Sequence, residues 1–76
     1  MSDDIPLLDS SGKLCPLPVL RLRKAMAGLK SGARLRTRTT DPLAIIDVPN
    51  YCREAGHKLL AQVPDGQATI FTIEHG

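Results

Sequence analysis

Arginine occupies every second position in one segment of this chain, and that alternation limits the folds open to it. Between residues 33 and 39, three residues with apolar or hydroxyl side chains alternate with three arginines: Leu35, Thr37 and Thr39 against Arg34, Arg36 and Arg38. Successive side chains of a β-strand point to opposite faces, so this segment is predicted to be a strand with one buried face and one solvated face. Helices must then lie together on the buried face, because a helix over the arginines would desolvate their charges.

Two helices are predicted from other patterns. Apolar residues at helical spacing indicate a first helix over residues 19–30: Val19, Leu22, Met26 and Leu29. Ser31 and Gly32 would end it. Asp41 followed by Pro42 is typical of a second helix start, because Asp caps backbone N–H groups and Pro suits the first turn.

Pro49 bears on where the second helix begins. It lies too far from Asp41 to belong to the first turn of one uninterrupted helix that starts there. We therefore expect a short turn over residues 42–46 and a helix capped near Asp47 that runs to residue 55. The apolar stripe of this helix would be Val48, Cys52 and Ala55.

Three further strands are predicted, over residues 5–9, 58–63 and 67–74, with a tight turn at residues 64–66. The order is β-α-β-α-β-β. We expect an α/β two-layer sandwich, with a mixed four-stranded sheet and two helices on one face. The 76 residues are enough for a single domain, and we expect residues 1–4 to be disordered.

Charge is unevenly distributed along the chain. No acidic residue lies between Ser10 and Thr40, whereas eight of the ten Lys and Arg residues do. The cations form either a solvated face that keeps the protein soluble or a field that steers an acidic partner or RNA. With Phe71 and Tyr51 as the sole aromatics, the chain is poorly equipped to stack nucleic-acid bases. We expect no direct binding of nucleic acid.

Composition also bears on where in the cell we expect the protein. No apolar run approaches the roughly 20 residues that a spanning helix needs, and the acidic start at residues 1–4 does not resemble a secretory signal. Two cysteines are too few for a disulfide scaffold. We expect a cytoplasmic monomer without membrane association.

The segment around Cys15 carries the most chemistry. Cys15 lies where the first strand passes into the first helix, and a helix N-terminus with nearby cations lowers the pKa of a thiol. Pro16 and Pro18 provide no backbone N–H but fix the local backbone. We therefore predict a rigidly held, modestly activated and accessible thiol. The alternative is a small buried residue at a proline-started helix, because free Cys is often buried.

Other chemistries fit less well. His57 and His75 lie far from Cys15 in the predicted fold, so a Cys-His hydrolase is not expected. The spacing of the two cysteines and two histidines is not that of a zinc site, and we expect neither a metal nor another cofactor. Cys52 lies on an apolar stripe at the opposite end of its helix, so we expect it in the core and not in a disulfide with Cys15.

These residues resemble a known family. Leu8-Asp9, Gly12 and Cys15-Pro16-Leu17-Pro18 are similar to the signature of the TusA (SirA-like) family of small sulfur carriers. The resemblance continues through Asp41-Pro42, Asp47-Val48-Pro49, Tyr51-Cys52 and the stretch over residues 56–60. It covers about residues 7–73, which is nearly the whole chain.

The resemblance implies the same β-α-β-α-β-β fold and a sulfur-carrier function. Cys15 would accept sulfane sulfur as a persulfide from a cysteine desulfurase or rhodanese and pass it to an acceptor protein. Branches of the family act in tRNA thiolation, molybdenum-cofactor maturation or sulfur oxidation. Gly12, Pro16 and Pro18 would frame the thiol. Residues expected to contact partners are Lys13, Leu17, Arg21, Arg23 and Lys24.

Two departures bear on the relay this chain would serve. Leu17 stands where members in tRNA thiolation usually carry an acidic residue, and Lys13 stands at a position that is often apolar or polar. Two other hypotheses stay open beside the carrier: a binding or regulatory module that uses the basic surface, and a redox-sensing thiol.

Overall fold

The structure is a computed structural model that describes residues 5–13 and 17–76. Its elements are β1 (Leu7–Asp9), α1 (Leu17–Ala27), β2 (Arg34–Thr39), α2 (Ala44–Ala55), β3 (Lys58–Asp65) and β4 (Ala68–Glu74). The predicted element order is confirmed. Residues 1–4, which we expected to be disordered, lie outside the described residues. Within the described part, neither helix is long and apolar enough to cross a membrane.

The four strands form one mixed sheet in the order β1-β2-β4-β3. β1 runs parallel to β2 with Leu8 opposite Thr37, and β4 runs antiparallel to both β2 and β3. β3 therefore points the same way as β1 and β2. Because parallel strands end at the same edge of a sheet, α1 and α2 both begin at the carboxyl edge, where Asp65 also lies.

The core lies between one face of the sheet and the two helices, which confirms the two-layer α/β sandwich. It combines residues of both helices with inward residues of β2 and β4: Leu22, Met26, Leu35, Ala44, Val48, Tyr51, Cys52, Phe71 and Ile73. The predicted alternation of β2 is also confirmed, because Leu35, Thr37 and Thr39 are buried. Ala55, expected on the apolar stripe of α2, is exposed, and Tyr51 is buried instead.

The predicted start of α2 is wrong, because the helix begins at Ala44 and continues through Pro49. Asp41 Oδ1 accepts a hydrogen bond from the Leu43 N–H at 3.0 Å and so shapes the turn that leads into the helix. In an α-helix, Pro49 removes only the bond to the carbonyl of Ile45. Ile45 is about half exposed, so water can reach that part of the helix.

Two other boundaries differ from the prediction. α1 begins at Leu17 and ends at Ala27, and Gly32 belongs to a separate turn, where its φ of 89° favours glycine. The hairpin turn lies at residues 66–67, because β3 continues through Pro64 to Asp65. Proline is tolerated there because β3 is an edge strand, where no neighbouring strand requires every N–H.

Burial in α1 predicts different costs for two leucines. Leu22 is fully buried and Leu20 is 51% exposed. We expect Leu22→Ala to lower the free energy of unfolding by about 2–5 kcal/mol, because it removes packed methyl groups and leaves a cavity. The matched variant Leu20→Ala should cost less than about 1 kcal/mol. Urea denaturation followed by circular dichroism measures both, and equal losses would contradict the assigned helix face.

Candidate functional site

The candidate site lies at the carboxyl edge of the sheet, between the end of β1 and the start of α1. Leu14, Cys15 and Pro16 lie outside the described residues, so the predicted exposure of Cys15 stays a prediction. The structure does describe the segment before them, residues 10–13, and the helix after them. We call residues 10–13 the thiol loop.

Backbone hydrogen bonds tie the thiol loop to β2. The Ser10 N–H donates to the Arg38 carbonyl at 2.7 Å, and the Lys13 N–H donates to the Ser10 carbonyl at 3.1 Å. Gly12 has a φ of 79°, a left-handed conformation suited to glycine, and its N–H donates to Thr40 Oγ1 at 2.9 Å. Gly12 therefore lies in a turn, as the composition of residues 10–13 predicts, and its role in framing the thiol stays a prediction.

A side-chain network supports the loop from the open face of the sheet. Asp9 Oδ1 accepts hydrogen bonds from the Ser11 N–H at 2.9 Å and the Ser11 hydroxyl at 2.5 Å. Arg38 Nη1 donates to Ser11 Oγ, and Arg38 Nε forms an ion pair with Asp65 Oδ2 at 3.0 Å. We call Asp9, Ser11, Arg38 and Asp65 the loop network. It connects the end of β1, the thiol loop, β2 and the β3–β4 hairpin.

Hydrogen bonds in the network lower the pKa of Asp9 below its usual range. The hydroxyl and backbone N–H of Ser11 are the main causes, and the charges of Arg38 and Arg21 act in the same direction. Partial desolvation opposes them. These interactions favour the ionised carboxylate, which is the form that accepts both bonds from Ser11.

The residues predicted to contact partners differ in their exposure and in the parts of the protein that they face. Lys13 and Lys24 are exposed. Arg21 is half-buried and donates from Nη1 to the Asp9 carbonyl at 3.1 Å, so it faces the thiol loop. Arg23 instead faces α2, with its guanidinium carbon 5.4 Å from the centre of the Tyr51 ring. Leu17 opens α1, and Pro18 is buried in its first turn.

The three arginines of β2 contact different parts of the protein, although the sequence places all of them on the solvated face of the sheet. Arg38 starts on the open sheet face, but its long side chain reaches Ser11 at the sheet edge. Arg34 behaves differently and pairs with Glu74 at 3.2 Å, at the other end of β2. Arg36 is exposed, and no carboxylate within the described residues pairs with it. Carboxylates of the protein itself thus offset much of the positive charge on the open face of the sheet.

Buried polar side chains collect at this same edge, which sequence patterns alone did not indicate. Ser10, Thr37, Thr39 and Asp41 are all buried. Thr37 Oγ1 donates to the Leu8 carbonyl at 3.2 Å, and Thr39 Oγ1 accepts from the Asp41 N–H at 3.1 Å. Ser10 Oγ and Asp41 Oδ2 have no hydrogen-bond partner among the described residues. The core is therefore polar beneath the start of both helices.

Exposed aliphatic side chains surround the helix starts as well. Leu43 and Ile46 are 52% and 61% exposed and lie three residues apart, so they share one face of the α2 start. Leu20 lines a groove of about 360 Å³ between α1 and α2, together with Asn50. Asn50 continues the face of Leu43 and Ile46 at helical spacing. We call Leu20, Leu43 and Ile46 the aliphatic patch, which no pattern in the sequence indicated.

Cys52 and the histidines lie away from this edge. Cys52 is a free thiol only 2% exposed, as predicted, and burial raises its pKa. The rings of Tyr51, His57 and His75 form an unpredicted cluster, with 5.6 Å and 4.5 Å between successive centres. Burial, and secondarily the charge of His75, lowers the pKa of His57. Residues 5–13 and 17–76 contain no group of three or more His, Cys, Asp or Glu arranged to hold a metal ion.

Comparison with known proteins places these features in context. The family model described as Sulfurtransferase TusA matches residues 7–75. YrkI of Bacillus subtilis is 39% identical over 70 residues, covering 92% of this chain and 93% of that protein. The sulfur carrier protein TusA of Pseudomonas putida strain F1 is 36% identical over 75 residues, covering 96% and 94%. The crystal structure of a SirA-like protein from Desulfitobacterium hafniense shares the fold, with a TM-score of 0.83 at 23% identity over 95% of this chain and 99% of the other.

The lowered pKa of Asp9 predicts how acid affects the loop network. A depressed folded-state pKa stabilises the fold above the unfolded value of 3.8, and this contribution is lost as pH falls through the folded value. We expect Asp9→Asn to lower the melting temperature at pH 7, and the difference from wild type to shrink below pH 4. Thermal unfolding between pH 2 and pH 7 measures it. A difference that does not change with pH would contradict a stabilising role for the ionised carboxylate.

Proposed function

Since this chain belongs to the TusA family, we propose that it carries sulfane sulfur as a persulfide on Cys15 and passes the sulfur to an acceptor protein. The observation that carries the proposal is the match of the family model over residues 7–75, within which Cys15-Pro16-Leu17-Pro18 leads into α1. The name of the Pseudomonas putida relative, a sulfur carrier protein, supports it. The tied loop before the cysteine and the helix after it suit a thiol held for transfer.

The chemistry needs little from the carrier beyond the thiolate. The Cys15 thiolate attacks the outer sulfur of a donor persulfide, the sulfur–sulfur bond of the donor breaks, and the donor leaves as a thiolate. Delivery repeats the step with the carrier as donor. Charge and sulfur balance in each transfer, so the exchange itself requires neither a redox cofactor nor a metal ion.

Burial and ionisation favour Cys15 over Cys52 as the carrier. Cys52 is packed in the core, and its raised pKa keeps the thiol protonated at neutral pH. A protonated, enclosed thiol is a poor nucleophile. Cys15 instead precedes α1, whose N-terminal dipole favours a thiolate.

The runner-up function, a binding module that uses the basic surface on RNA, is less well supported. Arg34 is paired with Glu74, and Arg38 is paired with Asp65 and lies 3.9 Å from Asp9. Phosphate contacts would have to compete with these carboxylates. A stripe of arginines that looks cationic in the sequence is thus partly neutralised in the folded protein.

Partner proteins would dock around the helix starts. Lys13 is an exposed cation at this edge, Lys24 is an exposed cation in the last turn of α1, and the aliphatic patch provides apolar surface at the helix starts. Acidic donors or acceptors with an apolar centre would match both features. A cysteine desulfurase or a rhodanese is the class of donor we propose, and tRNA thiolation is one relay that such a carrier can serve.

One test of the proposed function concerns the two cysteines. We expect Cys15→Ser to abolish uptake of sulfane sulfur, because a hydroxyl cannot carry a persulfide. Cys52→Ala should keep uptake and lose about 1 kcal/mol of stability through lost packing. Intact-mass spectrometry after incubation with inorganic polysulfide reads the added sulfur. Undiminished uptake by folded Cys15→Ser protein would overturn the proposed carrier.

Another test of the proposed function compares the helix face with the open sheet face. Lys24→Glu and Arg36→Glu make the same change in charge at two exposed positions without a described carboxylate partner. We expect Lys24→Glu to slow loading by a cysteine desulfurase and to weaken the salt dependence of the rate, because exposed charges steer an acidic partner within about 10 Å. Arg36→Glu should have a much smaller effect. Loading rates at two ionic strengths decide between the faces, and a larger effect of Arg36→Glu would place docking on the open sheet.

A further inference from the structure

We propose that Arg38 is a positioning residue for Cys15 and acts through Ser11 from the opposite side of the sheet. This inference rests on the proposed function of Cys15 as the sulfur carrier. Arg38 lies on β2 with its side chain on the open face, whereas the helices that flank the thiol segment cover the other face. Its guanidinium nevertheless reaches the thiol loop.

The geometry makes Arg38 a bridge between two parts of the chain that are distant in sequence. Nη1 donates to Ser11 Oγ, and Nε pairs with Asp65 Oδ2 at 3.0 Å. Asp65 ends β3 and is fixed by its pairing with Ala68 across the hairpin. The thiol loop is thereby braced against the hairpin and does not depend on β1 alone, which is only three residues long.

Ser11 transmits this restraint to the loop backbone. Its hydroxyl accepts from Arg38 and donates to Asp9 Oδ1 at 2.5 Å, while its own N–H donates to the same oxygen at 2.9 Å. A serine that makes all three bonds has little freedom to change its rotamer or its backbone. The next two residues are held as well, Gly12 by Thr40 and Lys13 by Ser10.

A fixed loop matters because the orientation of the thiol sets how often an approaching sulfur meets it productively. It also matters for ionisation, because the favourable effect of a helix N-terminus falls off within one turn. Pro18 and the first turn of α1 secure the chain on the far side of Cys15. The loop network secures it on the near side, so release of the loop frees one of the two ends.

Two neutralising charges make a purely electrostatic role of Arg38 a poor explanation. Asp65 and Asp9 lie 3.0 Å and 3.9 Å from its guanidinium nitrogens, so little of its positive charge is uncompensated. The other charged groups described at this edge are Arg21, which contacts the Asp9 carbonyl, the exposed Lys13 and the buried Asp41. What Arg38 provides is a rigid fork with two donors, and the single ammonium of a lysine does not reproduce that geometry.

The test measures the pH dependence of Cys15 alkylation by iodoacetamide, between pH 5.5 and pH 9.5, in full-length chains that also carry Cys52→Ala. We expect Arg38→Ala to lower the rate of Cys15 alkylation about fivefold at pH 6.5, which is the size of effect that the loss of one hydrogen bond has on an equilibrium. The midpoint pH of the alkylation profile should also move upward. Ser11→Ala removes the bridge without changing the charge, and it should do the same. Arg38→Lys should not restore the wild-type profile.

Arg34→Ala is the matched control, because Arg34 lies on the same strand and face and loses one ion pair, but makes no contact with the thiol loop. Its profile should overlie that of the wild type. Hydrogen exchange provides a second readout, in which the Ser11 and Gly12 amides should exchange about fivefold faster in Arg38→Ala than in Arg34→Ala. A variant that merely loses overall stability would not change the midpoint of the profile while it remains folded.

Three outcomes would overturn the proposal: full rescue by Arg38→Lys, a wild-type profile in Ser11→Ala, or equal effects of Arg38→Ala and Arg34→Ala. The proposed function is tested separately by polysulfide uptake in the same proteins. Each uptake event transfers one sulfur to the Cys15 thiolate and leaves a polysulfide one sulfur shorter. Lack of uptake by wild type with the expected alkylation profiles would reject the carrier and keep the bridge. Normal uptake with unchanged profiles would reject the bridge and keep the carrier.

Discussion

Parallel pairing of β1 with β2 is the constraint on which the rest of this architecture depends. It aligns Leu8 with Thr37 and Asp9 with Arg38, so both strands end at one edge. Both helices then have to begin there, since each follows one of these strands. The thiol loop, the buried hydroxyl groups and the aliphatic patch are brought together by that single register. A shift of one residue would turn Leu8 to the open face and Asp9 to the core.

Several features were predictable because neighbouring residues decide them. The alternation in β2 predicts its buried face, since Arg34 and Arg36 cannot enter a core without partners. Leu22 and Met26 predict the buried side of α1 in the same way. The start of α2 was not predictable at this level. Whether Pro49 interrupts the helix depends on the surroundings of the Ile45 carbonyl, which only the folded chain decides.

The candidate site likewise contains some features that local sequence indicates and others that only the folded chain decides. The motif around Cys15 is visible in the local sequence, and the composition of residues 10–13 also predicts the turn in which the structure places Gly12 with a φ of 79°. The path of Arg38 was not indicated, because its partner Asp65 is 27 residues away and becomes a neighbour only through the hairpin. The ring cluster of Tyr51, His57 and His75 likewise forms only when the start of β3 and the end of β4 come together beside α2.

The edges of the sheet restrict how other proteins can meet this one. At one edge β3 carries an irregularity between Leu59 and Ala61, an exposed Lys58 at its start and Pro64 near its end. Each of these interferes with regular pairing to an added strand. At the other edge β1 offers only three residues. Neither edge strand of the described sheet therefore favours an added strand, and side-chain surfaces are where an interface can form and separate without exchange of backbone hydrogen bonds.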